Sequence, residues 1–257
     1  MWRDGGVSAG TRDIPEETAV ALTYGRETHA VMMATPADLR DFALGFSLTE
    51  GILGGPDDIA ALDIVVTEDG IELRMDLVPE RQDRHTRRRR RITGPGGCGL
   101  CGVDSLKEAL RPLPVVTART AFTAAQVQAA RGAMAAAQTL NAVTHAVHAA
   151  AFWTAAHGLM ALREDVGRHN ALDKLAGALA WASIPASDGI VLLSSRVSVE
   201  MVQKAAIMGA PVIVAVSAPT ALAVRVAHAS NIALAGFARG DRVTLYAHAE
   251  RVTNALR

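Results

Sequence analysis

The sequence predicts an α/β protein: a largely parallel sheet covered by helices on both faces, preceded by a smaller α+β unit. Three observations predict it. Residues 189–195 (GIVLLSS), 211–217 (PVIVAVS) and 232–237 (IALAGF) are short, continuous apolar runs, the pattern of strands buried on both faces. Between them lie the helical patterns SVEMVQKAAIMG and PTALAVRVAHAS, and strand, helix, strand at that spacing implies right-handed crossovers. Upstream, TAVALTY and HAVMMA, then LDIVV and IELRMDL, are strand-like runs separated by short turns, as in hairpins.

Taken in order, residues 1–17 are polar and turn-rich and read as a flexible tail. TAVALTY and HAVMMA join through Gly25-Arg26-Glu27. A helix follows, with Thr35 as its N-cap, Pro36 in first position, Asp38 three residues after the cap, the apolar run FALGFSL, and Gly51 as its stop. LDIVV and IELRMDL flank EDG. The segment RQDRHTRRRRR, residues 81–91, is a block of like charge, a solvated loop or a contact for phosphate or an acidic partner. From residue 122 helices and β-rich runs alternate: a helix capped by Thr123, strands in HAAAFW and LMALRED, and a helix in HNALDKLAGALAWA. The expected division is a tail over 1–17, a smaller α+β domain over 18–117 carrying an Arg-rich and cysteine loop over 81–103, and an α/β domain over 118–257.

With 257 residues, half of them hydrophobic, the chain has ample material for a core. Its 26 basic residues balance 26 acidic ones, which argues against a general field for nucleic acid or an anionic membrane; anion recognition has to be local. Two cysteines two residues apart make no secreted disulfide framework, and the Ala-rich tract 133–162 is interrupted by Gln138, Asn141, His145, His148 and His157, a poor membrane span. The expectation is a cytoplasmic protein with no nucleic-acid or membrane partner.

Those two cysteines, Cys98 and Cys101, sit in GPGGCGLCG, residues 94–102, among five glycines. A structural zinc site needs two further ligands at matching spacing, and no second C-x-x-C accompanies this one, so no resident metal is expected. A thioredoxin-like dithiol should follow a strand and open a helix, whereas an arginine run precedes this pair. The third reading is a sulfur carrier, in which a reachable thiolate holds sulfur as a persulfide. DSLKEAL, starting at Asp104, reads as a helix whose N-terminus, with the arginines nearby, favours the thiolate. The glycines let the loop travel.

REDVGRHNALDKL (163–175) together with GPGGCGLCG resembles the formate dehydrogenase accessory sulfurtransferase family, FdhD, as do TPADLRDFALGFSLTEGIL, THAVHAAAF, the stretch SSRVSVEMVQKAAIMGAPVIVAVSAPTALAV and GFARGDR. The resemblance runs over nearly the whole chain from about residue 18. It implies a carrier that takes sulfur from a cysteine desulfurase and delivers it to the metal of the bis-molybdopterin guanine dinucleotide molybdenum cofactor (Mo-bisMGD) before insertion into formate dehydrogenase. It further implies a cytidine deaminase-like three-layer α/β/α sandwich behind the smaller domain, and a homodimer. On this resemblance Cys98 is the persulfide carrier, Cys101 a supporting thiol, and Phe237, Ala238, Arg239, Gly240, Asp241 and Arg242 lie where the family contacts the cofactor. A non-catalytic cofactor chaperone is the alternative. Deaminase chemistry is disfavoured, because it requires H-x-E followed by P-C-x-x-C and the nearest equivalent here is His148-Ala149-Ala150.

A guanine dinucleotide presents pyrophosphate and bases, which calls for helix N-termini, cations and a few polar groups. Arg163, Asp165, Gly167, Arg168 and His169 fall between a predicted strand and a predicted helix. There Arg163 and Arg168 offer forked contacts to phosphate, and Asp165 caps the helix or accepts from guanine. Lys174 lies on the face of Asn170, as a surface residue or a phosphate contact. His148 and His169, taken singly, read as structural. Ser194, Ser195 and Arg196 follow one strand, with Ser198 the cap of the next helix, Ser217 follows the second strand, and Arg239 to Arg242 the third. This is the strand-end location where α/β proteins bind ligands.

Overall fold

The computed structural model describes residues 2–3, 6–7, 10–82, 113–239 and 242–253. Trp2–Arg3 (β1) and Gly6–Val7 (β2) pair antiparallel. The smaller unit is a four-stranded sheet of Thr18–Tyr24 (β3), Glu27–Ala34 (β4), Ile59–Val66 (β5) and Ile71–Leu77 (β6), in the order β4-β3-β6-β5, packed on one helix, Leu39–Thr49 (α1). Both predicted hairpins form, and β3 and β6 bring them together in parallel. Strand alternation sends Val20, Leu22, Tyr24, Leu73, Met75 and Leu77 to one face, where they meet Phe42, Leu44 and Phe46 of α1.

α1 begins three residues later than its sequence signals indicate. Asp38, in the left-handed conformation, occupies the N-cap without a side-chain cap bond. Thr35 is not a cap, and its polar groups are used elsewhere, as described below.

The larger unit holds a six-stranded sheet in the order β13-β12-β11-β10-β8-β9. Its strands are His148–Thr154 (β8), Gly158–Asp165 (β9), Gly189–Leu193 (β10), Val212–Ala215 (β11), Ala233–Arg239 (β12) and Arg242–Ala247 (β13). Only β10, β11 and β12 form the parallel ladder that the apolar runs predict; β8 lies antiparallel to both β9 and β10, and β13 lies antiparallel to β12. The expectation of a largely parallel sheet is therefore corrected to a mixed one. The reason is chain length: β8 to β9 and β12 to β13 are linked by a few residues, and a parallel partner needs a crossover of a dozen or more.

Arg168–Trp181 (α4), Val199–Met208 (α5) and Ala221–Ala229 (α6) cover one face, meeting Phe152, Val191, Leu193, Ile213 and Leu234. Ala124–Ala137 (α2), capped by Thr123 Oγ1 accepting from Gln126 N at 3.2 Å, covers the other, meeting Trp153, Ile190, Leu192 and Val214. Thr139–Thr144 (α3) follows it, and Phe122–Thr123 (β7) pairs with Val252–Thr253 (β14). Helices thus lie on both faces of the sheet. Leu113, Val116 and Ala118 pack with this unit, and Val116 N donates to Ser230 O. No helix among the described residues is long and apolar enough to cross a membrane.

The two units meet where α1 crosses α4. A β-carbon on Gly45 would overlap the carbonyl of Asp173, and one on Gly177 the carbonyl of Asp41, so the helices touch backbone to backbone. That approach brings the end of β9 and the start of α4 against the smaller unit.

Candidate functional site

The motif that opens α4 turns first inward. Asp165 and Lys174, both 0% exposed, form an ion pair of 2.6 Å between Oδ2 and Nζ. Every polar group of Thr35 is spent on this pair and its loop: its N–H donates to Asp165 Oδ2 at 3.0 Å, its carbonyl accepts from Lys174 Nζ at 2.8 Å, and its hydroxyl accepts from Val166 N at 3.1 Å. Asp165 Oδ1 takes Gly167 N and Asn170 Nδ2, and Asn170 also donates to Met33 O. Such a fully hydrogen-bonded buried pair is costly to break on one side only. One turn further, Asp173 accepts from Lys204 Nζ and from Thr49 Oγ1, at 2.9 and 2.6 Å. Burial alone would strip the Lys204 proton, but the Asp173 and Glu50 carboxylates outweigh it and hold its pKa above the usual lysine value.

These placements correct three sequence expectations. Lys174 is neither a surface lysine nor exposed to phosphate. Asp165 does not cap α4, whose N-cap is Gly167, and both its oxygens are occupied within the protein. Arg163 is engaged with the smaller unit, its guanidinium 2.7 Å from Asp41 and 3.5 Å from Asp38.

What the clamp leaves facing outward is a pocket. A cavity of about 300 Å³ is lined by His148, Arg168, Ser194, Ser195, Arg196 and Ser217. All six lie at one edge of the sheet: Ser194 to Arg196 follow β10, Ser217 follows β11, His148 begins β8, and Arg168 opens α4 just after β9. The opening comes from the strand order. β8 is inserted between β9 and β10, so the loops leaving those two strands stand about 10 Å apart, two strand spacings, with His148 between them. All three crossover helices lie on one face, so the crevice arises from this inserted strand and not from a reversal in winding.

The walls are rigid and cationic. Ser194 Oγ accepts from Ala149 N at 2.7 Å and Ser194 N donates to Ala149 O at 3.0 Å, locking the loop to β8. Arg196 is exposed. Arg168 has its Nε buried with no hydrogen-bond partner among the described residues, an unspent donor beside the cavity. Burial, then the Arg168 charge, holds the His148 pKa below the usual histidine value against the pull of Asp165, so His148 is neutral near pH 7. His169, next along α4, is pushed down to about 4 by burial and by Arg168 and Lys204. No acidic residue lines the cavity. Two guanidiniums, the hydroxyls of Ser194 and Ser217 and a neutral imidazole form a donor-rich set suited to a phosphate or diphosphate, while the Ser195 hydroxyl already donates to Arg196 O at 2.9 Å.

Arg168, Ser194 and Arg196 are thus brought together, with Gly167 and His169 beside them. His148 was read from sequence as structural and proves to line the pocket; its place is set by its pairing opposite Asp165 across β8 and β9, which no local pattern announces. Phe237 stands at the rim: 48% exposed, in the left-handed conformation at φ 50°, its N–H on Ser217 O at 3.0 Å. Ala238 is buried beneath it, and the backbone of Arg239 pairs with that of Arg242, whose side chain is exposed. Gly240, Asp241, most of the arginine run, the predicted helix at Asp104 and both cysteines lie outside the described residues. Among the described residues, no cluster of three or more His, Cys, Asp or Glu could hold a metal ion.

Comparison with known proteins places this architecture. The model of the FdhD/NarQ family matches residues 15–253. The chain is 49% identical over 251 residues to the sulfur carrier protein FdhD of Agrobacterium fabrum, covering 97% of this chain and 93% of that one, and 51% identical over 251 residues, with the same coverage, to the protein of that name from Brucella abortus. The crystal structure of a formate dehydrogenase accessory protein from Desulfotalea psychrophila superimposes with a TM-score of 0.74 over 94% of this chain and 91% of that one, at 24% identity, and so shares the fold. With the family model spanning both units, this chain belongs to the FdhD/NarQ family.

Proposed function

We propose that this protein is a sulfur carrier that matures formate dehydrogenase. Cys98 accepts sulfur from a cysteine desulfurase, with Cys101 in support. The Cys98 thiolate attacks the outer sulfur of the donor's persulfide, the donor's S–S bond breaks, and the donor leaves as a thiolate. The sulfur is now the terminal atom of a Cys98 persulfide, with no net oxidation. From there it passes to the metal of the Mo-bisMGD cofactor before the cofactor enters formate dehydrogenase: the persulfide S–S bond breaks, Cys98 leaves as a thiolate, and the two electrons that take the transferred sulfur to sulfide come from the reduced metal of the cargo. The cofactor is cargo here, not a resident group. In this reading the fold follows a cytidine deaminase-like sandwich, the protein works as a cytoplasmic homodimer, and its activity is that of a sulfurtransferase.

The observation that carries the reading is the cavity at the strand ends. Arg168 and Arg196, with the hydroxyls of Ser194 and Ser217, suit a pyrophosphate. Phe237, an exposed aromatic held in a strained conformation at the rim, suits a stacking face for a guanine. Gly167 and the free N–H groups at the start of α4 add the positive end of a helix. The names of the relatives support the sulfur chemistry.

The test is to incubate the protein with a cysteine desulfurase and cysteine, then map added sulfur by mass spectrometry in the parent, Cys98→Ala and Cys101→Ala, alongside activation of a co-expressed formate dehydrogenase. One sulfur atom on Cys98, and an inactive dehydrogenase with Cys98→Ala, is the expected result. A fully active dehydrogenase matured with both cysteines replaced would refute carrier chemistry and leave a cofactor holder.

A further inference from the structure

Four polar side-chain atoms are shut off from solvent and hydrogen-bonded to nothing among the described residues: Arg168 Nε, His169 Nε2, Ser198 Oγ and Glu200 Oε2. All come from the starts of two neighbouring helices. Arg168 and His169 open α4, Ser198 is the N-cap of α5, and Glu200 is in its first turn. Neither helix start has a side-chain cap bond. A buried polar group left without a partner is costly, and here the Nε of a pocket arginine is itself one of the four.

Glu200 is the acidic member. Burial pushes its pKa up, but the adjoining Ser198 side chain, its own backbone N–H and the charge of Arg168 outweigh this and bring it below the usual glutamate value, so it is a carboxylate at neutral pH. Arg168 therefore lines the cavity and also acts on the Glu200 carboxylate, one oxygen of which is shut off from solvent. We infer that Glu200 is a positioning and charge-balancing residue of the pocket, which competes with the bound anion for Arg168 and keeps the anion's hold weak enough for release. The inference rests on the pocket being an anion site, as proposed above. It supplies what a carrier needs and a storage protein does not: without an opposing charge, two arginines and the hydroxyls of Ser194 and Ser217 would retain a diphosphate that has to be handed on.

Inorganic pyrophosphate and guanosine diphosphate are titrated into the full-length protein by calorimetry at fixed pH and salt, with thermal melts alongside. Glu200→Gln keeps the shape and removes the charge. It should bind pyrophosphate about tenfold more tightly, the order expected for one carboxylate acting over a few side-chain lengths near a protein surface. Glu200→Asp should bind like the parent. In an Arg168→Ala background the gain from Glu200→Gln should disappear, which a merely structural role would not produce. Unchanged or weaker pyrophosphate binding by a Glu200→Gln variant that melts like the parent overturns the inference and leaves the pocket assignment standing, as does tight binding by Glu200→Asp. If the parent and all variants bind neither ligand at millimolar concentration, both the pocket assignment and the inference fail.

Discussion

Replacing Lys174 by Met tests whether the motif opening α4 is, first of all, the joint between the two units. The side chain is fully buried, 2.6 Å from Asp165 Oδ2 and 2.8 Å from Thr35 O. Met retains most of the volume but removes the charge, leaving a buried carboxylate without its counter-ion and the Thr35 carbonyl without that donor. Removing one partner of a buried pair costs about 3–5 kcal/mol. The Asp165 carboxylate keeps three donors, from Thr35, Gly167 and Asn170, which places the loss at the lower end of that range. For a chain of this size, the corresponding fall in Tm is roughly 6–20 °C. Asp165→Asn should cost a similar amount, because it strands the ammonium. The double variant should cost less than the sum of the two by at least about 1.5 kcal/mol, since residues in direct contact do not add. Thermal and urea melts followed by circular dichroism measure all three. Single variants within about 1 kcal/mol of the parent, or a strictly additive double variant, would refute the reasoning.

Three further outcomes follow from the same geometry. Gly45→Ala drives a methyl group into the Asp173 carbonyl at the α1–α4 crossing and should cost about 3 kcal/mol in urea denaturation. His169 is neutral in both folded and unfolded states above pH 6.5; between there and its folded value of about 4 the unfolded chain takes up a proton that the native protein refuses, so stability is lost as pH falls. The loss at or below pH 4 is up to about 3 kcal/mol, and a His169→Gln variant compared with the parent at pH 7 and pH 4 should lack that share. Arg168→Ala should weaken pyrophosphate binding by roughly 10- to 100-fold, the range for losing a charge-assisted hydrogen bond, and calorimetry on a variant with an unchanged circular dichroism spectrum reads it directly.

Much of the fold was legible before any coordinates. GIVLLSS, PVIVAVS and IALAGF form the parallel ladder, Thr123 caps the helix that follows it, and both N-terminal hairpins pair. These features rest on interactions within a few residues of chain, and local sequence encodes them well. Thr35 shows where that logic ends. It carries an N-cap signal, but Asp165, Val166 and Lys174, more than a hundred residues away, engage its N–H, hydroxyl and carbonyl, and the helix starts at Leu39 instead.

The pocket divides in the same way. The serines and arginines at the ends of apolar runs could be named from order alone, because a chain leaving the carboxyl end of a buried strand must surface there. Which residues of the α4 motif face a ligand could not. Arg163, Asp165, Arg168 and Lys174 share one short charged stretch, and the packing of α1 against α4 buries or engages three of them while leaving Arg168 at the cavity. The sequence by itself determined the strands, the Thr123 cap and the loops able to reach a ligand, since these depend on neighbours along the chain. Only the tertiary structure decided that β8 enters between β9 and β10, placing His148 in the pocket wall, and that Lys174 is spent on the joint, since burial and charge pairing depend on neighbours in space.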